Sequence, residues 1–265
     1  MDGVSVSEEF ADRFRGALSA VCSLVVVRNQ TVSTNDDARE LAQADAPHLS
    51  VVVAREQTAG RGRLARAWVS EPGEGLTISW VLRPTLPLES WPLIPLIAGV
   101  AVARAVRAET GVQVVLKWPN DVLVENRKLG GILAEAALPD FVVVGLGLNL
   151  AQAEFPEDLR QTATSLTMQG VNDVDGASLA AAISRHLESA LVSPGRALDD
   201  YRALCTTVGR RVRVDRAGVE PIEGRAVEVN GKGALVVQTD VETVAVTAGD
   251  VTHVRDSLAA GEPDW

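Results

Sequence analysis

The run FVVVGLGLNL, residues 141–150, constrains the fold more than any other stretch. A strand with one face in water alternates apolar and polar residues, whereas a strand covered on both faces reads as a near-continuous apolar run. The chain must therefore build a sheet with this segment inside it. Its neighbours are short β-branched or alternating runs: SLVVV (23–27), LSVVVA (49–54), GLTISWVL (75–82), VVLKW (114–118), DVLVE (121–125) and KLGGILAEA (128–136). Asn126 and Arg127 separate the last two, a gap short enough for a hairpin turn.

Helices read over residues 1–22, from STNDDARELAQ, over 93–109 with Gly111 just past the end, and over 177–192 and 195–205. In STNDDARELAQ, Thr34 reads as the cap, with Asp37 three positions on in a capping-box relation. Most strands follow one another through hairpins without βαβ alternation. That predicts an α+β fold, a mixed and largely antiparallel sheet with helices on one face.

From about residue 207 the chain becomes Val-rich and is punctuated by Gly, Asn and Asp, notably in NGKG at 230–233. Four or five short strands with tight turns are the pattern of a small β-barrel. The expected division is 1–205 for a catalytic domain, 206–256 for the barrel and 257–265 for a disordered tail.

Charge narrows the function classes. With a formal charge of −10 over 265 residues, no broad basic face is available for phosphate-backbone binding, so nucleic acid is not an expected partner. Against that balance, QTAGRGRLARAW (57–68) places Arg61, Arg63 and Arg66 in one Gly-containing loop. Clustered arginines repel and ordered glycines lose entropy, so such a loop reads as one that wraps an anionic ligand. Cys22 and Cys205 lie far apart with no C-x-x-C pattern and read as free thiols of a reducing, cytoplasmic compartment. The N-terminus does not read as a signal peptide, and WPLIPLIAGVAVARAV from Trp91 is too short and too interrupted for a membrane span.

Familiar catalytic patterns are missing. Gly145 and Gly147 do not complete a dinucleotide fingerprint, there is no P-loop or G-x-S-x-G elbow, and His48, His186 and His253 are isolated. The polar clusters at element ends are STN (33–35), QTAGRGRLAR (57–66), KWPND (117–121) with KLGGIL (128–133), and GLGLN (145–149). Together they supply the cations Arg61, Arg63, Arg66, Lys117 and Lys128, suited to carboxylate and polyphosphate. Asp121, beside Asn120, offers a hard oxygen for Mg²⁺, which binds through few carboxylates plus substrate phosphates. The set suits attack of a carboxylate on an α-phosphate, with cations neutralising the developing charge.

In this order, STN, QTAGRGR, KWPNDV, KLGGILAE and GLGLN resemble the motif series of biotin protein ligases, strongly over residues 30–150. The resemblance implies a catalytic fold related to class II aminoacyl-tRNA synthetases, followed by an SH3-like domain. It implies that biotin and ATP give biotinyl-5′-AMP and pyrophosphate, and that biotin then passes to a lysine of a biotin carboxyl carrier domain. Ser33, Thr34 and Asn35 would lie against the biotin rings with Gln57 beside them, under a loop of Gly60, Arg61, Gly62 and Arg63. Lys128, with Gly131 in the same motif, would hold the carboxylate and polarise the acyl-adenylate. Lys117 and Arg66 would face the phosphates, Asn120 and Asn149 the nucleotide, Asp121 and Asn149 the magnesium, and Trp68 the adenine. Catalysis would thus rest on Lys128, Arg63, Arg66 and Lys117.

The family loop commonly has Gly where this chain has Ala65, which implies a different backbone path for closure. About thirty residues precede STN, too few for the DNA-binding domain of bifunctional members, so a repressor role is not expected. Whether the chain forms a homodimer is left open. A lipoate or octanoyl ligase of the same architecture, and a non-catalytic biotin-binding regulator, are the alternatives.

Overall fold

A computed structural model describes residues 3–63, 66–216 and 218–253. The Ala65 question and the expected tail at 257–265 lie outside the described residues. The elements run α1 (Gly3–Leu18), β1 (Leu24–Thr31), α2 (Thr34–Gln43), β2 (Ser50–Gln57), β3 (Gly75–Leu82), α3 (Ile94–Thr110), β4 (Val115–Lys117), β5 (Asp121–Val124), β6 (Arg127–Ala137) and β7 (Phe141–Asn149). Then follow α4 (Gly176–Val192), α5 (Pro194–Leu204), β8 (Arg211–Arg216), β9 (Val219–Val229), β10 (Leu235–Gln238), β11 (Thr243–Val246) and β12 (Asp250–His253).

The first seven strands form one sheet in the order β1-β2-β3-β7-β6-β5-β4. β7 lies at its centre, as its composition demands. Every pairing is antiparallel except β1 with β2, which run parallel through α2. The chain therefore contains one βαβ unit that the hairpin reading overlooked.

Alternation along β7 shows how the layers are built. Val142, Val144, Leu146 and Leu148 join the large core that holds residues of α1, α3, α4 and α5. Phe141 and Val143 face the other way and pack with Val52, Val81 and with Ala38 and Ala42 of α2. The expectation of helices on one face is thus corrected: α2 covers part of the second face. Beyond α2, that face of β7 carries Gly145, Gly147 and Asn149, and there the cleft opens. The apolar segment Leu88–Thr110, long enough by composition to suggest a span, has 72% of its apolar window buried in the protein.

Two local readings shift. Ser33, not Thr34, precedes α2 as its cap residue and makes no side-chain cap bond. The backbone N–H of Thr34 instead donates to Gln57 Oε1 at 2.8 Å, a tertiary cap supplied from the end of β2. Asp37 accepts from Arg28 at 3.1 Å and Thr31 at 2.9 Å, so no capping box forms. The β5–β6 turn is centred on Glu125 and Asn126, both at positive φ (50° and 67°), one residue earlier than the Asn126–Arg127 reading. Both central residues in the left-handed region match a type I′ hairpin, whose twist suits the flanking strands.

The remaining strands form a second antiparallel sheet, β11-β10-β9-β8-β12. Asn230 turns β9 into β10 by accepting from the N–H groups of Lys232 and Ala234, as NGKG foretold. β11 and β12 do not pair, so the sheet is open and the expected closed barrel is corrected to a five-stranded open sheet. Trp118 Nε1 donates to the Gly233 carbonyl at 3.0 Å, tying it to the first sheet.

Candidate active site

Sheet register assembles the cleft. Lys117 opposes Asp121, Asp121 opposes Gly131, Gly131 opposes Gly147, and Gly147 opposes Thr77. Directly opposed residues share a face, so this row runs across four strand boundaries on the side away from the large core. Lys128 would point to the opposite face from Gly131 in a regular strand, because the two are an odd number of residues apart. A register shift at Val122/Leu123, where Lys128 and Gly130 follow one another against Leu123 and Val122, removes the conflict. Leu129 then enters the core while the Lys128 ammonium sits 2.6 Å from Asp121. The Lys128 backbone is held on both sides by Thr162 O (2.6 Å) and Thr164 N (2.9 Å).

Two residues along β7 from that row, Gly145 opposes Ser79. A Cβ at Gly145 would collide with Asn35 Oδ1, so the glycine admits the start of α2 against the sheet. Ser79 Oγ lies 2.7 Å from both Thr34 Oγ1 and Asn35 Oδ1, and Asn35 Nδ2 donates to Glu135 at 2.7 Å. Ser33, Thr34 and Asn35 are all buried. At Gly147 a Cβ would collide with the indole of Trp68, which therefore lies directly on the strand.

The loop from Gly60 to Trp68 closes on itself through Gly62 N to Arg66 O (2.7 Å) and Trp68 N to Gly60 O (2.9 Å). A Cβ on Gly60 would stand 2.6 Å from the Trp68 carbonyl, so here glycine serves the loop's own closure. The arginines differ in how their charge is met. Arg61 forks onto both oxygens of Asp36, with one contact at 2.7 Å; this pairing holds the Asp36 carboxyl below its ordinary range. Arg66 pairs with Asp250 at the start of β12. Arg63 has no carboxylate partner among the described residues; it is half-buried, donates to Gly249 O at 3.4 Å, and burial lowers its pKa. The expectation that a ligand must neutralise all three is narrowed to Arg63.

One cleft of about 1060 Å³ brings together Ser33, Thr34, Asn35, Gln57, Arg61, Gly62, Arg63, Arg66, Trp68, Lys117, Asn120, Asp121, Lys128, Gly131 and Asn149. Gly60, buried at the start of the loop, is not part of the lining. Asn149 does not present itself as a metal ligand. Its amide nitrogen donates to the carbonyls of Thr164 (3.0 Å) and Lys128 (3.5 Å), and its oxygen accepts from Gln152. Among the described residues no three His, Cys, Asp or Glu gather as a metal site. Asp121 offers a carboxylate in the row with Lys117 and beside Lys128, a donor that fits Mg²⁺ arriving with phosphates.

Sequence reasoning missed part of the lining. Ser70, Gln152 and Thr162 come from irregular segments, and Asp250, Thr252 and His253 from the second sheet. His253 is held neutral, its pKa pushed down to about 4 by burial first and then by Lys117 and Arg210. No motif marks these positions, since their role depends on where the chain returns.

An α-helix-backed sheet whose free face gathers cations, a carboxylate and a glycine floor defines a class: the Biotin/lipoate A/B protein ligase family, whose profile matches residues 26–149. A second profile, the biotin protein ligase C terminal domain, matches residues 207–254. The biotin–[acetyl-CoA-carboxylase] ligase of Mycobacterium tuberculosis is 41% identical over 258 residues, 92% of this chain and 94% of that protein. Among solved structures, the biotin protein ligase from Aquifex aeolicus in complex with biotin and ATP matches with a TM-score of 0.76, 27% identity and coverage of 88% of this chain and 99% of that one. The Leishmania major enzyme in complex with biotinyl-5-AMP matches with a TM-score of 0.63 at 28% identity, over 85% of this chain and 99% of that one. The chain belongs to the biotin protein ligase family.

Proposed function

We infer that this chain is an ATP-dependent biotin protein ligase that biotinylates a lysine of a biotin carboxyl carrier domain. The observation that carries this reading is the convergence of five separately encoded motifs on one cleft, in a chain 41% identical to a biotin ligase over nearly its whole length. In the first step a carboxylate oxygen of biotin attacks the α-phosphorus of ATP, the bond to the bridging oxygen breaks, and pyrophosphate leaves. In the second the acceptor lysine's neutral amine attacks the acyl carbon of biotinyl-5′-AMP, an amide forms, and AMP leaves with the electron pair of the broken C–O bond.

The residues divide this work by position. Ser33, Thr34, Asn35 and Gln57 sit at the polar, buried end and would take the vitamin's ring system, with Gly131 beside it. Lys128 would exchange its contact with Asp121 for the biotin carboxylate and then polarise the acyl-adenylate. Arg63 would clamp the intermediate, Lys117 and Arg66 the departing phosphates, and Trp68 would form the aromatic wall of the adenylate site. Magnesium, when bound, would draw charge from the phosphates. Asp121 would hold it, while Asn149 would brace the Lys128 carbonyl and Asn120 the Ile132 carbonyl, to which it donates at 3.1 Å. The free Cys22 and Cys205 suit a reducing cytoplasm.

The test is reconstitution: protein, biotin, MgATP and a carrier domain should yield a carrier whose lysine bears biotin. Incorporation no faster than without protein overturns the reading, and faster incorporation of lipoate than of biotin would transfer it to the lipoate branch of the family.

A further inference from the structure

The polar cluster at the start of α2 forms a hydrogen-bond chain with a fixed direction. Asn35 Nδ2 donates to Glu135 Oε2 at 2.7 Å and reaches the Leu133 carbonyl at 3.4 Å. The other oxygen of the Glu135 carboxylate holds Arg39, one turn along α2, at 3.1 Å. Carboxylates and carbonyls only accept, so the Asn35 group facing them is its NH₂, and Asn35 Oδ1 is turned to Ser79. An amide oxygen also only accepts, so the single hydroxyl proton of Ser79 goes to Asn35. Thr34 Oγ1 lies 2.7 Å from Ser79 Oγ, a separation that calls for a proton, and Thr34 is left to supply it.

At the cleft the chain runs out of protons. Gln57 Oε1 accepts from the Thr34 backbone N–H at 2.8 Å, which fixes the Gln57 amide, and it lies 3.1 Å from Thr34 Oγ1. With the Thr34 proton committed to Ser79, these two oxygens face each other as acceptors. Both residues line the cleft, and Gln57 is only half-buried. Such a pair repels a carboxylate or phosphate and is satisfied by an N–H.

We propose that Glu135 is a positioning residue that sets the direction of this chain and so keeps its Thr34–Gln57 end an acceptor for a ligand N–H. Glu135 is not part of the cleft lining and acts only through Asn35, Ser79 and Thr34. The proposal rests on the ligase reading above, in which the ureido ring of biotin supplies the N–H. Glu135→Gln keeps the size and one acceptor but adds a donor, which allows reversal. The new amide can donate to Asn35, Asn35 to Ser79, Ser79 to Thr34 and Thr34 to Gln57. The reversed chain has one hydrogen bond more, and its last proton fills the place meant for the ligand.

Calorimetric titration with biotin alone is the test. Glu135→Gln should raise the Kd for biotin about three- to tenfold, the weight of one hydrogen bond in the balance between the two directions. The KM for ATP at saturating biotin should stay within about twofold. Arg39→Gln removes the same ion pair but leaves the carboxylate facing Asn35, so its Kd for biotin should stay within about twofold of the native value. Equal weakening in both variants would mean that Glu135 merely straps α2 to the sheet, and overturns the proposal. An unchanged Kd in folded Glu135→Gln overturns it as well. Should Glu135→Gln not fold, Ser79→Ala cuts the chain in its middle and releases the Thr34 proton to Gln57. That variant should raise the Kd by a similar factor, and an unchanged Kd there overturns the proposal. A native protein that binds no biotin at all would instead overturn the ligase reading, and the proposal with it.

Discussion

Lys128 and Arg63 occupy opposite electrostatic situations, and their substitutions should fail differently. The Lys128 ammonium is paired with Asp121, and its backbone is bonded on both sides, so Lys128→Ala should keep the fold. We expect pyrophosphate release to fall about a hundredfold or more, as for loss of one preorganised donor to a developing charge. Undiminished release would give that role to another cation. Among the described residues Arg63 makes only a long contact to Gly249 O and pairs directly with no carboxylate. Arg63→Ala should therefore accelerate leakage of biotinyl-5′-AMP about tenfold while changing unfolding midpoints little. Both arginine and lysine were visible in the sequence. That Arg61 and Arg66 are answered by Asp36 and Asp250 was not, because those carboxylates lie 25 and 184 residues away.

Among elements, the β5–β6 hairpin sets the position of Lys128 and carries strain. Glu125 adopts φ 50°, which its side chain disfavours and asparagine tolerates. Glu125→Asn should raise the urea midpoint, by about 0.5–1 kcal/mol in stability, with activity retained; an unchanged or lower midpoint would show that the turn is not strained at that residue. Element types were largely legible, since periodicity and turn residues act locally. The βαβ link between β1 and β2 was hidden because strand direction is set by where α2 packs. The bulge that turns Lys128 toward the cleft was hidden as well, because KLGGIL reads as a regular strand until its partner β5 fixes the register.

Across the whole molecule, the second sheet reaches into the cleft. Asp250 holds Arg66 in a largely exposed pair, so Asp250→Asn should alter stability by less than about 1 kcal/mol. It should nonetheless lower the KM for ATP by freeing Arg66 for the phosphates; a raised KM would mean that the pair positions Arg66 productively. His253, also on β12, faces Lys117, Arg210 and Thr207 and is kept neutral in the fold. Its folded pKa of about 4 lies below the ordinary 6.5, so the unfolded chain binds the proton first as pH falls. The stabilising contribution is thus complete above pH 6.5 and is lost as pH drops toward 4. His253→Gln should flatten the pH dependence of unfolding in that window, and an unaltered slope would place the titration elsewhere.

The sequence alone determined the central strand, the two-part organisation, the motif order and hence the family, because composition, periodicity and short motifs are properties of neighbouring residues. Only the tertiary structure decided which arginine remains without a carboxylate, that α2 caps on Gln57, that the second sheet stays open, and that Gln152 and β12 belong to the cleft. Those outcomes depend on pairing between segments far apart in the chain, where a single register step moves a side chain from one face of the sheet to the other.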